Sequence, residues 1–225
     1  MLINHKSFKK DLRKDPSSAV SKSLGSLVNM IDISTSISMK LKGLKINIFD
    51  ELSSEMLQDI EVFRKKTMGG CCPYLYSDSH FSKINESLID QQSIHFTITK
   101  SGNIVGHLRL NPSQTELKTL LPNKNLSNYS SYLEISRFCV DRSALGIGKY
   151  LLINAGVFQY QKTDAIGLLA LCPKKYQKTY QSFGLQSIVE NIEIDYRPHI
   201  YSVMAAQTEE MAKNVFKKIP RSLLQ

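Results

Sequence analysis

YLEISRFCVDRSALGIGKYLL, residues 132–152, changes character half-way along. Residues 132–140 alternate and lean on β-branched and aromatic side chains, the pattern of a strand. From Gly148 onward, Leu151, Leu152, Ala155 and Phe158 recur at helical spacing through about residue 161, and Gly146-Ile147-Gly148 forms the joint. A helix that opens on a glycine turn after a strand presents unpaired N–H groups and the positive end of its dipole. Such a turn suits a phosphate, with Arg142, Leu145, Gly146, Ile147, Gly148 and Lys149 as the residues around it. The same pattern also serves as a plain tight connection. Inside the strand, Glu134 and Arg137 stand three residues apart, so regular pleating sends them to opposite faces unless a bulge intervenes. They read either as an ion pair at a sheet edge or as two parts of a site.

Outward from this stretch the chain reads as alternating elements. Residues 44–49 form a short strand. Residues 54–68 make a Ser-capped helix that places Met56, Leu57, Ile60 and Phe63 on one face and stops at Gly69-Gly70. Residues 71–90 read as loop and short helix. Residues 93–100 and 104–110 flank Ser101-Gly102-Asn103, a hairpin signal. A polar connection runs from 111 to 131. After the helix come an apolar strand (165–171), a short helix ended by Gly184, strands at 186–194 and 199–206, and a helix from Thr208 to about residue 218. The order predicts an α/β (α+β) domain, a mixed central sheet of about six to seven strands flanked by helices. It occupies residues 44–225, with residues 1–43 as a basic N-terminal extension.

Composition narrows the classes of function. The chain has 225 residues, 42% of them hydrophobic and 22% charged, which is ordinary material for a packed core. It contains no apolar run of membrane-spanning length, and its basic start lacks the apolar stretch of a secretory signal. Cys71, Cys72, Cys139 and Cys172 show no metal or disulfide spacing, so reduced thiols and a cytoplasmic location are expected. The five histidines show no ligand spacing, and no metal is expected. The net charge is +9. Residues 1–48 carry nine Lys and Arg against three Asp, a surplus of six. That excess makes an acidic carrier protein and an anionic membrane surface candidate partners of the N-terminus, alongside the plain reading of a solvated basic segment. No interleaved aromatics accompany it, so nucleic acid is not expected.

The strand, Gly-x-Gly helix, strand and following Tyr180-Gln181-Ser182-Phe183-Gly184-Leu185 together resemble the core of the GNAT N-acyltransferase superfamily, over roughly residues 44–206. The resemblance implies an acyl-CoA or acyl carrier protein thioester as co-substrate, with its phosphates on the glycine turn. It also implies Tyr180 as proton donor to the departing thiolate. The family's Arg/Gln-x-x-Gly-x-Gly/Ala pattern is modified here, with Ser143 in its first position and the arginine at Arg142. GHLRLNP (106–112) and EISRFCVD (134–141) are similar to the autoinducer (acyl-homoserine-lactone) synthases and N-acyl amino acid synthases. On that match Arg109 is the arginine of Gly-x-x-Arg-Leu, Glu134 the general base and Arg137 its companion. Backbone N–H groups of Phe138, Cys139 and Val140 would face the thioester carbonyl, and Asp78 fills one acidic position.

The sequence has no Trp, unlike those synthases, which disfavours homoserine lactone as product. The expected activity is transfer of a medium or long acyl chain to the amine of a small metabolite or amino acid. The alternatives are an acetyl-CoA-dependent acetyltransferase acting on a protein or polyamine, and a non-catalytic thioester-binding protein. His95 reads as a satisfied or exposed strand residue, and no cysteine is expected to act as nucleophile.

Overall fold

The computed structural model describes residues 19–112 and 114–217. Seven strands form one sheet: β1 (Leu44–Phe49), β2 (Ile94–Lys100), β3 (Asn103–Asn111), β4 (Tyr132–Val140), β5 (Gly167–Pro173), β6 (Gln186–Ile194) and β7 (Arg197–Gln207). Their order is β1-β2-β3-β4-β5-β7-β6, with β4 and β5 parallel and all other pairs antiparallel. The mixed α/β sheet expected from the sequence is therefore present. Helices α1 (Ala19–Leu41), α6 (Gly148–Lys162) and α8 (Thr208–Phe216) contribute to a core on one face. That core takes Leu108, Leu110, Leu133, Ile135, Leu168 and Met204 from the strands. The other face carries α2 (Ser54–Met68), α3 (Asp78–Phe81), α4 (Glu86–Gln91) and α5 (Thr115–Leu120) in the connecting segments, while α7 (Gln177–Gln181) sends Tyr180 into the main core.

Two segments depart from the sequence expectation. Residues 19–41, within the basic extension, form a helix of 23 residues whose Val28, Ile31 and Met39 are buried in the main core. The polar connection contains α5, and its Leu117, with Leu121 and Leu126, anchors a second apolar cluster against Tyr132, Leu169 and Tyr201. Elsewhere the local signals hold. The Ser53 hydroxyl accepts the Met56 N–H at 3.2 Å and caps α2, and Asn85 caps α4 through the Leu88 N–H. Among the described residues no helix is long and apolar enough to cross a membrane.

The decisive irregularity is in β4. Arg109 of β3 pairs with Ser136, but His107, two residues back, pairs with Cys139, so β4 carries one extra residue. Arg137 takes a φ of +50° there, a left-handed conformation that a bulge imposes on a non-glycine residue. Parallel pairing of β4 with β5 stops at Ile135 and Ala170. Beyond that point the two strands part.

Candidate active site

The parted strands open a cavity of about 380 Å³. Ser136, Arg137, Phe138, Cys139 and Val140 of β4 form one wall, and Leu171 and Pro173 of β5 another. Glu134 lies at its inner end, Tyr180 on its side and Arg142 at its rim. The structure thus gathers seven of the sequence candidates around one space. The glycine turn is outside that lining. Ile147 is buried in the main core, while Leu145 and Lys149 are exposed. Gly146 has φ +87°, which favours glycine. A Cβ on Gly148 would come within 2.9 Å of the Phe138 ring and 3.2 Å of Val140 Cγ2, so that glycine lets the start of α6 pack against β4. Among the described residues no side chain caps the first turn of α6; the Tyr150 N–H donates to the Ile147 carbonyl at 2.9 Å, which leaves the N–H groups of Gly148 and Lys149 available.

The bulge answers the question of the charged strand. Alternation places Glu134 on the face opposite Leu133 and Ile135, and the extra residue turns Arg137 to that same face. The two do not pair with each other. Among the described residues Glu134 has no ion-pair partner; its Oε2 accepts the Glu116 N–H at 3.2 Å. Burial first, then the Glu116 carboxylate, pushes the Glu134 carboxyl up to about 8, against the pull of Asn111, the Leu117 N–H and Arg109.

Arg137 instead joins a buried network. Its Nη1 donates to Glu116 Oε1 at 3.0 Å, its Nη2 to Glu86 Oε1, and Nη2 also meets His80 Nε2 at 3.1 Å. Burial lowers its guanidinium to about 9. Arg109 is fully buried and does not line the cavity. It donates to Glu86 and Asp90 from Nη1 (2.9 and 2.7 Å), to Glu116 from Nη2 (3.0 Å) and to Ser136 from Nε (2.8 Å). Its geometry is that of a positioning residue. Arg64 holds Asp90 through two bonds of 2.9 and 2.5 Å. Burial raises the Asp90 carboxyl, but the bonds from Arg64 and Arg109 outweigh it and hold the group well below the ordinary range.

Beneath the bulge lies a histidine pair. His95 Nε2 faces the Asp90 carbonyl at 2.9 Å, and His107 Nδ1 faces the Arg137 carbonyl at 3.1 Å. A carbonyl only accepts, so both of those nitrogens carry hydrogen. The remaining nitrogens, His95 Nδ1 and His107 Nε2, meet at 3.1 Å. Two neutral rings have no third N–H for that contact; it is a hydrogen bond only when the pair holds a shared proton. Burial opposes that proton, lowering His95 to about 4 and His107 well below its usual value. His95 is therefore a buried histidine held by its Nε2 bond to the Asp90 carbonyl, with Nδ1 against the His107 ring.

Tyr180 is buried against the Phe138 ring, with centroids 6.1 Å apart at 84°. Burial raises its phenol well above the usual value, so it keeps its proton. Burial also pushes Cys139 up to about 12, which argues against a thiolate nucleophile. Among the described residues no group of three or more His, Cys, Asp or Glu is arranged to hold a metal ion.

The sequence pointed to Asp78 as the acid of this site, but Asp78 is exposed at the start of α3. The acids that meet the arginines are Glu86, Asp90 and Glu116. The available signal was Glu86 and Asp90 one helical turn apart in a capped segment, and an acid in α5 beside the buried Leu117.

No family model matches the sequence, and no curated protein matches it. Solved structures do match in fold. A putative N-acetyltransferase from Lactobacillus plantarum superposes with a TM-score of 0.55 at 15% identity, over 74% of this chain and 99% of that one. The fold is therefore that of the GNAT N-acyltransferases. Its likeness extends to the branch that the sequence motifs resemble. The acyl-homoserine-lactone synthase LasI gives a TM-score of 0.54 at 15% identity, over 75% of this chain and 93% of that one. FeeM, an N-acyl amino acid synthase from uncultured soil microbes, gives 0.57 at 10% identity, over 75% and 92%.

Proposed function

We propose that the chain is an N-acyltransferase that moves an acyl group directly from an acyl-CoA or acyl carrier protein thioester to the amine of a small metabolite or amino acid. The observation that carries this reading is Glu134: a carboxyl with no arginine partner among the described residues, at the inner end of the cleft that the β4 bulge opens. Beyond Ile135, β4 has no partner strand on its β5 side, so backbone groups there are free for the donor's amide-rich arm. The uncapped start of α6 and the rim residue Arg142 suit the donor's phosphates.

In the reaction Glu134 takes a proton from the amine, the neutral nitrogen attacks the thioester carbonyl, and negative charge develops on the carbonyl oxygen. Backbone N–H groups around Phe138, Cys139 and Val140 stabilise that oxygen. The C–S bond then breaks while Tyr180, still protonated, donates a hydrogen bond to the departing sulfur, and the remaining extra proton on nitrogen passes to that thiolate, leaving a neutral amide and a free thiol. A carboxyl raised to about 8 is better matched to an ammonium than an ordinary glutamate. The apolar walls contributed by Phe138, Val140 and Leu171 favour a medium or long acyl chain over acetyl. The test offers acetyl-CoA, long-chain acyl-CoA and acyl carrier protein, each with mixed amines, and follows thiol release and product mass. Transfer from the long-chain donors supports the reading. Transfer from acetyl-CoA alone reassigns the protein to acetyl transfer, and donor binding without thiol release rejects catalysis.

A further inference from the structure

Helix α1 is apolar on two sides. Val28, Ile31 and Met39 face the core. On the solvent side Met30, Ile33, Ile37 and Leu41 are 41, 61, 43 and 79% exposed. Steps of three, four and four residues place these four within an arc of about 80° along about 16 Å of helix. Asp32 is the single acid in α1. At the Leu41 end the surface is basic: Lys40 and Lys42 are exposed beside it, and Lys42 and Lys149 both stand over the Tyr150 ring, at 5.6 and 5.2 Å. In sequence, the helix follows Lys6, Lys9, Lys10, Arg13 and Lys14.

We propose that the solvent face of α1 docks on an anionic lipid bilayer, with Met30, Ile33, Ile37 and Leu41 entering the headgroup boundary and the lysines meeting acidic headgroups. An apolar stripe bordered by cations is the pattern of a helix lying in the membrane interface. The charge argues against the other occupants of an apolar stripe. A second copy would bring a surplus of six positive charges against its equal. An acidic carrier protein would satisfy the lysines but has no need of four exposed aliphatic side chains. The inference stands whether or not the chain moves acyl groups.

The test is sedimentation of the full chain with vesicles of phosphatidylcholine alone or with roughly 30% phosphatidylglycerol. Binding is expected only to the anionic vesicles, with release at about 0.5 M salt. Ile33→Asp and Leu41→Asp, at exposed positions, should weaken it by about tenfold or more with an unchanged melting temperature, and Lys40→Glu with Lys42→Glu should weaken it as well. No vesicle binding, or equal binding to neutral vesicles, overturns the proposal. So does a dimer that Ile33→Asp dissolves, or capture of acyl carrier protein that Ile33→Asp abolishes in a chain that ignores vesicles.

Discussion

The strands of the sheet bury Leu108, Leu110, Leu133, Ile135 and Leu168 on one face, and His95, His107, Arg109 and Glu134 on the other. The first face closes on three helices by apolar packing, which tolerates imperfect partners. The second closes by charge over β2, β3 and β4, beside the apolar cluster around Leu117, and there each buried charged group depends on a particular partner. The proposed chemistry uses the second face. A thioester and an amine need a base, oriented dipoles and a place free of competing water, and an apolar core offers none of these.

The comparison can be broken at several points. The largest effect is expected for Glu134→Gln, which should reduce kcat by about 10²- to 10⁴-fold and leave donor affinity within a few-fold. Steady-state kinetics with direct donor titration separates the two; loss of donor binding instead would make the residue structural. In the native protein the rate should climb with pH through about 8 as this carboxyl ionises.

Glu116→Ala should cost about 3–5 kcal/mol in a denaturant melt, because it removes the carboxylate common to Arg109, Arg137 and Arg197 and takes the ion pair from Arg197. Leu151→Ala, the corresponding insult to the apolar face, should cost about 2–5 kcal/mol for its cavity.

A further difference between the faces is the shape of the stability curve against pH. His80 and His95 fall to about 4 in the fold, in both cases chiefly through burial. Between their ordinary value of 6.5 and about 4, the unfolded chain binds protons that the native one refuses. Their contribution is therefore complete above 6.5 and is lost as pH falls, by up to about 1.4 kcal/mol per unit for each group. Glu134, raised from 4.5 to about 8, acts in the opposite sense and contributes stability that fades as pH rises through that window. The two histidines outweigh it on the acid side, so stability should peak near pH 6.5, and Glu134→Gln should flatten the alkaline limb. Melts at half-unit pH intervals check both statements.

The contrast between the faces also explains what the sequence could convey. The β4–α6 joint, the hairpin at Ser101-Gly102 and the Ser53 cap are local signals, and each was legible. Glu134 and Arg137 stood out as charges within a strand. Their partners did not, because Glu86, Asp90 and Glu116 reach the arginines from segments 7 to 51 residues away, and no periodicity records such a meeting. The spacing of Glu134 and Arg137 raised a bulge as one reading, but the residue order does not say where it falls, since a left-handed arginine looks like any other. Helix α1 was obscured for the reverse reason. With aliphatic side chains on both its buried and exposed sides, it lacks the one-sided pattern by which a helix is recognised.

The parting of β4 from β5 gives the sheet a third edge in its middle, besides those of β1 and β6. The outer edges can accept any passing strand. The inner one is walled by Tyr180, Phe138 and the loop before α3, so only a slender, extended guest carrying amides of its own can mend it. A donor that enters would complete a torn ladder as well as fill a hole.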